Sequence, residues 1–269
     1  MKISASTRVF AVLGDPVAHS LSPQLHSAGF QAAGLDAIYV SLRPEADALP
    51  HVMQTLMRDG GGGNVTVPYK LAAAGVTAIR DERVEQLGSA NVFGAASGEA
   101  RIGNTDVDGI LAALDRLGGS GNAWWLLGTG GSARAVVGAA VQRGARLAIR
   151  SRDRARGEAF AAWAAKLGVP AAEVSECRVV INTTPLGMNA ADALPVEPRT
   201  LERGTAALDL VYVASGPTAW VRACHAAGID AVDGREVLLA QALASWCYWF
   251  TDLTPPVEVM KAALDGRLG

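Results

Sequence analysis

The chain has 269 residues, 50% of them hydrophobic and 19% charged, which gives room for two ordinary domains and excludes an intrinsically disordered chain. With 24 basic and 26 acidic residues its formal net charge is -2, so the basic excess of a phosphate-neutralising nucleic-acid binder is missing. Cys177, Cys224 and Cys247 form no CxxC pair, and no apolar run approaches the roughly 18 residues of a membrane span, so reduced thiols and a cytoplasmic address are expected.

Val9 to Leu13 is a short apolar run closed by Gly14-Asp15-Pro16, which reads as a buried strand and a turn; it is too short for a signal-peptide core. Pro23 opens a helix continuing from Gln24 to Ala33 and stopped by Gly34. Ile38 to Leu42 is a second strand, and residues 45 to 58 form a helix ending at the glycine run Gly60 to Gly63. Asn64-Val65-Thr66-Val67 is a third strand, closed by Pro68. This alternation of strand and helix predicts a mainly parallel, covered sheet. A helix from about Val107 to Leu117 runs into the flexible stretch Gly118 to Asn122, taken as a boundary feature. A second βαβ series follows: strand Ala123 to Leu127, a glycine turn, a helix to about Arg143, then strands at Arg146 to Ile149, Val179 to Asn182 and Ala207 to Leu210. The closing helices, about 236 to 250 and 256 to 267, are candidates to pack back on the first domain. Trp246, Tyr248, Trp249 and Phe250 read as helix core or a dimer contact, and His19 and His26, with no third ligand nearby, as structural or capping residues.

Gly128-Thr129-Gly130-Gly131-Ser132-Ala133 reads G-x-G-x-x-A between a strand and a helix, the context a dinucleotide loop needs. Gly128 makes the tight turn, Gly130 lets the backbone approach a pyrophosphate, and Ala133 allows close helix–strand packing. The N–H groups at the helix start, from Gly131 and Ser132 onward, face the anion. The next strand ends in Arg150-Ser151-Arg152-Asp153-Arg154-Ala155-Arg156. Arginine there suits the 2′-phosphate of NADP, whereas Asp153 could accept a ribose hydroxyl of NAD; NADP is expected, with NAD as the alternative.

The first half carries three polar blocks beside turns: His19-Ser20-Leu21-Ser22-Pro23, Asn64 to Lys70, and Gly103-Asn104-Thr105-Asp106. Ser20 and Ser22, at alternate positions, can offer hydroxyls to one carboxylate. Lys70 beside Asp106 would make a proton-transferring pair, because hydride leaving a carbinol carbon requires loss of the O–H proton.

These blocks, with GTGGSAR and the late LLAQA, resemble the shikimate dehydrogenase family over nearly the whole chain, Val9 to Gln241 in the family's order. The resemblance implies a substrate-binding domain over 1–106, a Rossmann NAD(P)-binding domain over 107–237, and C-terminal helices over 238–269 that return to the substrate domain. It implies reversible, NADP-dependent reduction of 3-dehydroshikimate to shikimate, in a monomer or homodimer. By position, Ser20 and Ser22 hold the substrate carboxylate, while Thr66, Asn91, Tyr212 and Gln241 hydrogen-bond ring hydroxyls. Lys70 exchanges the proton and Asp106 orients it. Arg152 and Arg156 match the family's ribose-phosphate motif, with Ser151 in place of its usual Asn, and Thr183 and Met188 line the cofactor. Asp153, the missing leading glycine before Gly103, and Val92 after Asn91 depart from the family pattern, which makes quinate or aminoshikimate the alternative substrate.

Overall fold

The computed structural model describes residues 3–96, 98–118, 121–189 and 191–266, so part of the stretch expected to mark a boundary, and the last residue of the final expected helix, lie outside the described residues. The chain divides into two compact units, Met1–Asp106 with Leu238–Gly269, and Val107–Val237.

In chain order the first unit runs β1 (Arg8–Leu13), α1 (Ser22–Ala32), β2 (Ala37–Leu42), α2 (Leu49–Arg58), β3 (Gly62–Val65), α3 (Lys70–Ala73), β4 (Ile79–Arg80), α4 (Glu82–Leu87), β5 (Val92–Ala96) and β6 (Glu99–Gly103). The chain leaves in α5 (Asp106–Arg116). The second unit contains β7 (Ala123–Leu127), α6 (Gly131–Arg143), β8 (Arg146–Arg150), α7 (Arg154–Lys166), β9 (Val179–Asn182), β10 (Ala206–Asp209), α8 (Ala219–Ala226) and β11 (Ala231–Val232). The chain then returns through α9 (Gly234–Trp249) and ends in α10 (Val257–Leu264).

The first sheet has the order β2-β1-β3-β5-β6-β4. Its β2, β1 and β3 are parallel, but β5 runs antiparallel to both β3 and β6. The β5–β6 hairpin is absent from the sequence expectation, because Val92–Ala96 and Glu99–Gly103 mix glycine and alanine with too few branched residues to read as strands. The third strand is also displaced: it covers Gly62–Val65 rather than Asn64 to Val67, and two glycines expected to end a helix instead form its first half. They are needed there because β3 lies between β1 and β5, where a Cβ on Gly63 would run into the Ala11 carbonyl and one on Gly62 into the Phe93 carbonyl.

Apolar faces on both sides of this sheet are covered. One layer gathers Leu49, Met53 and Met57 of α2 with Val65, Tyr69 and Phe93. The other stacks Phe10 against Phe30, Trp249 and Phe250, with Trp246 fully buried, so the late aromatic cluster is core. Gly29 gives α1 a small surface against Trp246 and Met260, which lets α10 close over it.

The second sheet, β11-β10-β9-β7-β8, is parallel throughout. Its order reverses between β7 and β9, and ligands of open α/β sheets bind outside the carboxyl ends of strands at such a reversal. The first sheet has a comparable reversal between β1 and β3. Among the described residues no helix is long and apolar enough to cross a membrane.

Candidate active site

In the first unit, the expected residues gather at the carboxyl ends of β1 and β3. Ser20 lies in the turn after β1 and Ser22 begins α1; the Ser20 hydroxyl accepts from the Ser22 N–H at 3.3 Å. Thr66 follows β3, its own N–H tied to the Leu13 carbonyl at 2.8 Å. One short turn later Lys70 opens α3. Lys70 Nζ donates to Asp106 Oδ2 at 2.6 Å, each side chain only 11% exposed. The other oxygen, Oδ1, accepts from Asn91 Nδ2 at 2.9 Å. A carboxylate held on both oxygens cannot swing, so the ammonium is aimed as well as paired.

Asn91 is itself clamped. Its Oδ1 accepts from the Thr105 N–H at 2.7 Å, and its Nδ2 also reaches Thr105 Oγ1 at 3.1 Å and Gln241 Oε1 at 3.3 Å. Gln241, on α9, donates back to the Leu238 carbonyl at 3.0 Å. Behind this layer stand residues the sequence reading did not single out. Asn64 accepts from the Tyr39 hydroxyl at 2.8 Å and donates to Ser245 Oγ at 2.9 Å. Asn104 Oδ1 accepts the Asp106 N–H at 3.1 Å, and its amide donates to the Ser89 carbonyl. Asn64 and Asn104 were legible as polar residues beside apolar strands. Ser245 carried one signal, its i+4 spacing from Gln241, which sets both on one helix face.

In the second unit, Gly128 follows β7 with φ +108°, a backbone that only glycine adopts without strain, and its Cβ position is occupied by Thr183. Gly130 is the N-cap of α6, and a Cβ built on it meets nothing within 4 Å. Buried Ala133 packs the helix onto the sheet. Gly131 and Ser132 open α6 at the positive end of its dipole, with no acidic side chain in the first turn. Ser151 and exposed Arg152 follow β8, and Arg156 in α7 turns back so that its Nη2 donates to the Thr129 carbonyl at 3.5 Å. Asp153 is the N-cap of α7 and accepts from the Arg156 N–H at 3.1 Å. One of its carboxylate oxygens therefore serves as the cap of this helix. Open space at Gly130, a helix N-terminus and arginines after the second strand suit a phosphate-bearing dinucleotide.

Beside that loop, the Thr183 hydroxyl donates to the Leu127 carbonyl at 2.7 Å, and Met188 stays 39% exposed on the turn after β9. Asn182 holds this turn, accepting from Thr184 and donating to the Leu186 carbonyl and to Asp209 Oδ1. Asp209 is fully buried, and it also accepts from the Thr218 hydroxyl and the Val211 N–H. Burial pushes its carboxyl up to about 6 against those hydrogen bonds, with Asp233 adding to the rise. Tyr212 follows directly in this anchored segment after β10.

A parallel dinucleotide-type sheet with a glycine turn at its reversal, joined in one chain to a unit that presents a clamped lysine–aspartate pair, defines a two-unit α/β protein of the dehydrogenase class. The family described as shikimate dehydrogenase substrate binding domain matches residues 12–93. Shikimate dehydrogenase (NADP(+)) of Methanothrix thermoacetophila is 36% identical over 269 residues, covering 97% of this chain and 98% of that protein. The protein of the same name from Halobacterium salinarum is 35% identical over 267 residues, covering 97% and 99%. The crystal structure of Thermus thermophilus shikimate 5-dehydrogenase in complex with NADP(H) and shikimate superposes with a TM-score of 0.85 at 31% identity, over 97% of this chain and 100% of that one. The chain belongs to the shikimate dehydrogenase family.

Proposed function

We propose that this chain catalyses the reversible, NADP-dependent reduction of 3-dehydroshikimate to shikimate. The observation that carries the reading is the Lys70–Asp106 pair, 2.6 Å apart and fixed from behind by Asn91. Full-length relatives named for this reaction, and a superposable structure bound to NADP(H) and shikimate, support it. In this reading Met1–Asp106 with the C-terminal helices is the substrate domain and Val107–Val237 the NADP domain.

Bound NADP supplies the hydride acceptor, or as NADPH the donor. The chain's own residues then have two tasks. The Lys70 ammonium gives a proton to the carbonyl oxygen during reduction, and its neutral amine takes the hydroxyl proton during oxidation. Asp106 keeps that nitrogen aimed and stabilises the charge that develops when the proton returns to it. The hydroxyls of Ser20 and Ser22 receive the substrate carboxylate. Thr66, Asn91 and Gln241 receive ring hydroxyls. For the cofactor, Gly128, Gly130, Gly131, Ser132 and Ala133 shape the pyrophosphate loop. Ser151, Arg152 and Arg156 read the 2′-phosphate, and Thr183 and Met188 line the nicotinamide end. The enzyme works in the cytoplasm on a small diffusible acid.

The test is absorbance at the reduced-nicotinamide band, with shikimate and quinate each crossed against NADP and NAD. Shikimate with NADP is expected to be the best pair, and a better rate on quinate or with NAD refutes the assignment. Lys70→Ala should lower kcat by about two orders of magnitude or more, the range for a general acid–base group; unchanged turnover removes Lys70 from the chemistry.

A further inference from the structure

We propose that Ser245, on α9, is a positioning residue for the Lys70–Asp106 pair: its hydroxyl anchors the hydrogen-bond chain that steadies the Asn91 amide against Asp106. This rests on the reading in which that pair moves the proton.

The argument is a count of protons. Ser245 is fully buried, and its Oγ touches three groups. It donates to the Gln241 carbonyl at 2.8 Å, accepts from Asn64 Nδ2 at 2.9 Å, and lies 3.0 Å from Thr105 Oγ1. A serine hydroxyl has one proton, and a carbonyl can only accept it. With that proton spent on Gln241, Thr105 must be the donor in the third contact. The Thr105 oxygen, its own proton spent in turn, can then only accept from Asn91 Nδ2 at 3.1 Å. That adds a further restraint to the two that already orient the Asn91 amide, its amino end on Asp106 Oδ1 and its oxygen on the Thr105 N–H. Asp106 is thereby met by a donor on Oδ1, which leaves Oδ2 for Lys70.

Without the Ser245 oxygen, Thr105 loses its acceptor and can turn its proton onto Asn91 Oδ1, only 3.3 Å away. The second Asn91 N–H then keeps only the longer contact to Gln241 Oε1 at 3.3 Å, so the amide is held less firmly against Asp106 Oδ1. The consequence falls on the proton-transfer geometry, not on the cofactor, which is held by a separate set of residues.

The test is steady-state kinetics of Ser245→Ala and Ser245→Cys across a pH series, with Lys70→Ala run in parallel. Cysteine nearly preserves the volume but is a weak donor and acceptor, so it separates packing from hydrogen bonding and keeps the test alive should Ser245→Ala not fold. Both variants are expected to lose about tenfold in kcat, a fraction of the roughly 10²–10⁴-fold that a proton-transfer group contributes. The pH profile of kcat should be displaced and KM for NADP unchanged. Wild-type kcat and an undisturbed profile in Ser245→Cys, beside an inactive Lys70→Ala, overturn the inference alone. So does a loss of kcat with an unmoved pH profile and a raised KM for both substrates, which marks general structural damage. Unchanged turnover in Lys70→Ala brings down the underlying reading, and the inference with it.

Discussion

Replacing His26 with phenylalanine should make the protein resist acid. His26 sits on α1 with its ring completely buried, stacked on Tyr39 at 4.6 Å and 18°, and neither ring nitrogen has a hydrogen-bond partner among the described residues. Burial lowers its pKa from 6.5 to about 3, so the folded protein holds the ring neutral. In the unfolded chain the ring takes up a proton as the pH falls through 6.5, while the folded state resists until about 3. Stability is therefore full above 6.5 and drains away as pH falls through the window between those values. At about pH 5 the difference amounts to 1.5 units at roughly 1.36 kcal/mol each, or about 2 kcal/mol. His26→Phe keeps an aromatic ring against Tyr39 and removes the proton site. Urea unfolding followed by tryptophan fluorescence at about pH 7.5 and about pH 5 measures the difference. The wild type should lose about 2 kcal/mol more than the variant between the two conditions. Parallel losses would refute the claim that this ring is buried without a partner.

Two further changes address cofactor binding. Arg152→Ala should raise KM for NADP by about 10- to 100-fold, the worth of a hydrogen bond to a charged group at roughly 1.5–3 kcal/mol, and leave KM for NAD nearly unchanged; equal effects on both would show that Arg152 does not read the 2′-phosphate. Gly130→Ala adds a Cβ to open space, so the melting temperature should hold, while KM for NADP rises about tenfold, or roughly 1.4 kcal/mol, because the pyrophosphate loses its approach to the backbone. A melting temperature lowered by several degrees, or an unaltered KM, would contradict that separation.

Much of the site could be read before any coordinates. Lys70, Asp106, the serine pair and the glycine loop announce themselves because polar groups and glycines at strand ends have few other reasons to cluster. Ser245 announces almost nothing, since one serine among apolar residues in a helix reads as an ordinary small side chain. Asp153 has two readings: its place after β8 suits a ribose acceptor, and as the N-cap of α7 its Oδ1 accepts the Arg156 N–H. Local helix capping and ligand recognition draw on the same residue types, so only the backbone path separates them.

The amino-acid order by itself determined where most strands and helices fall, the two βαβ series, and the glycine turn at Gly128, because these depend on periodicity and on backbone freedom within a few residues. Tertiary structure alone decided which distant polar groups meet. Lys70 and Asp106 lie 36 residues apart, and Asn64 and Ser245 lie 181 apart. Their contacts follow from strand order, from an antiparallel hairpin that the pattern did not announce, and from a glycine strand lying against β1. Register and layer packing place such groups, and neither is encoded in a local repeat.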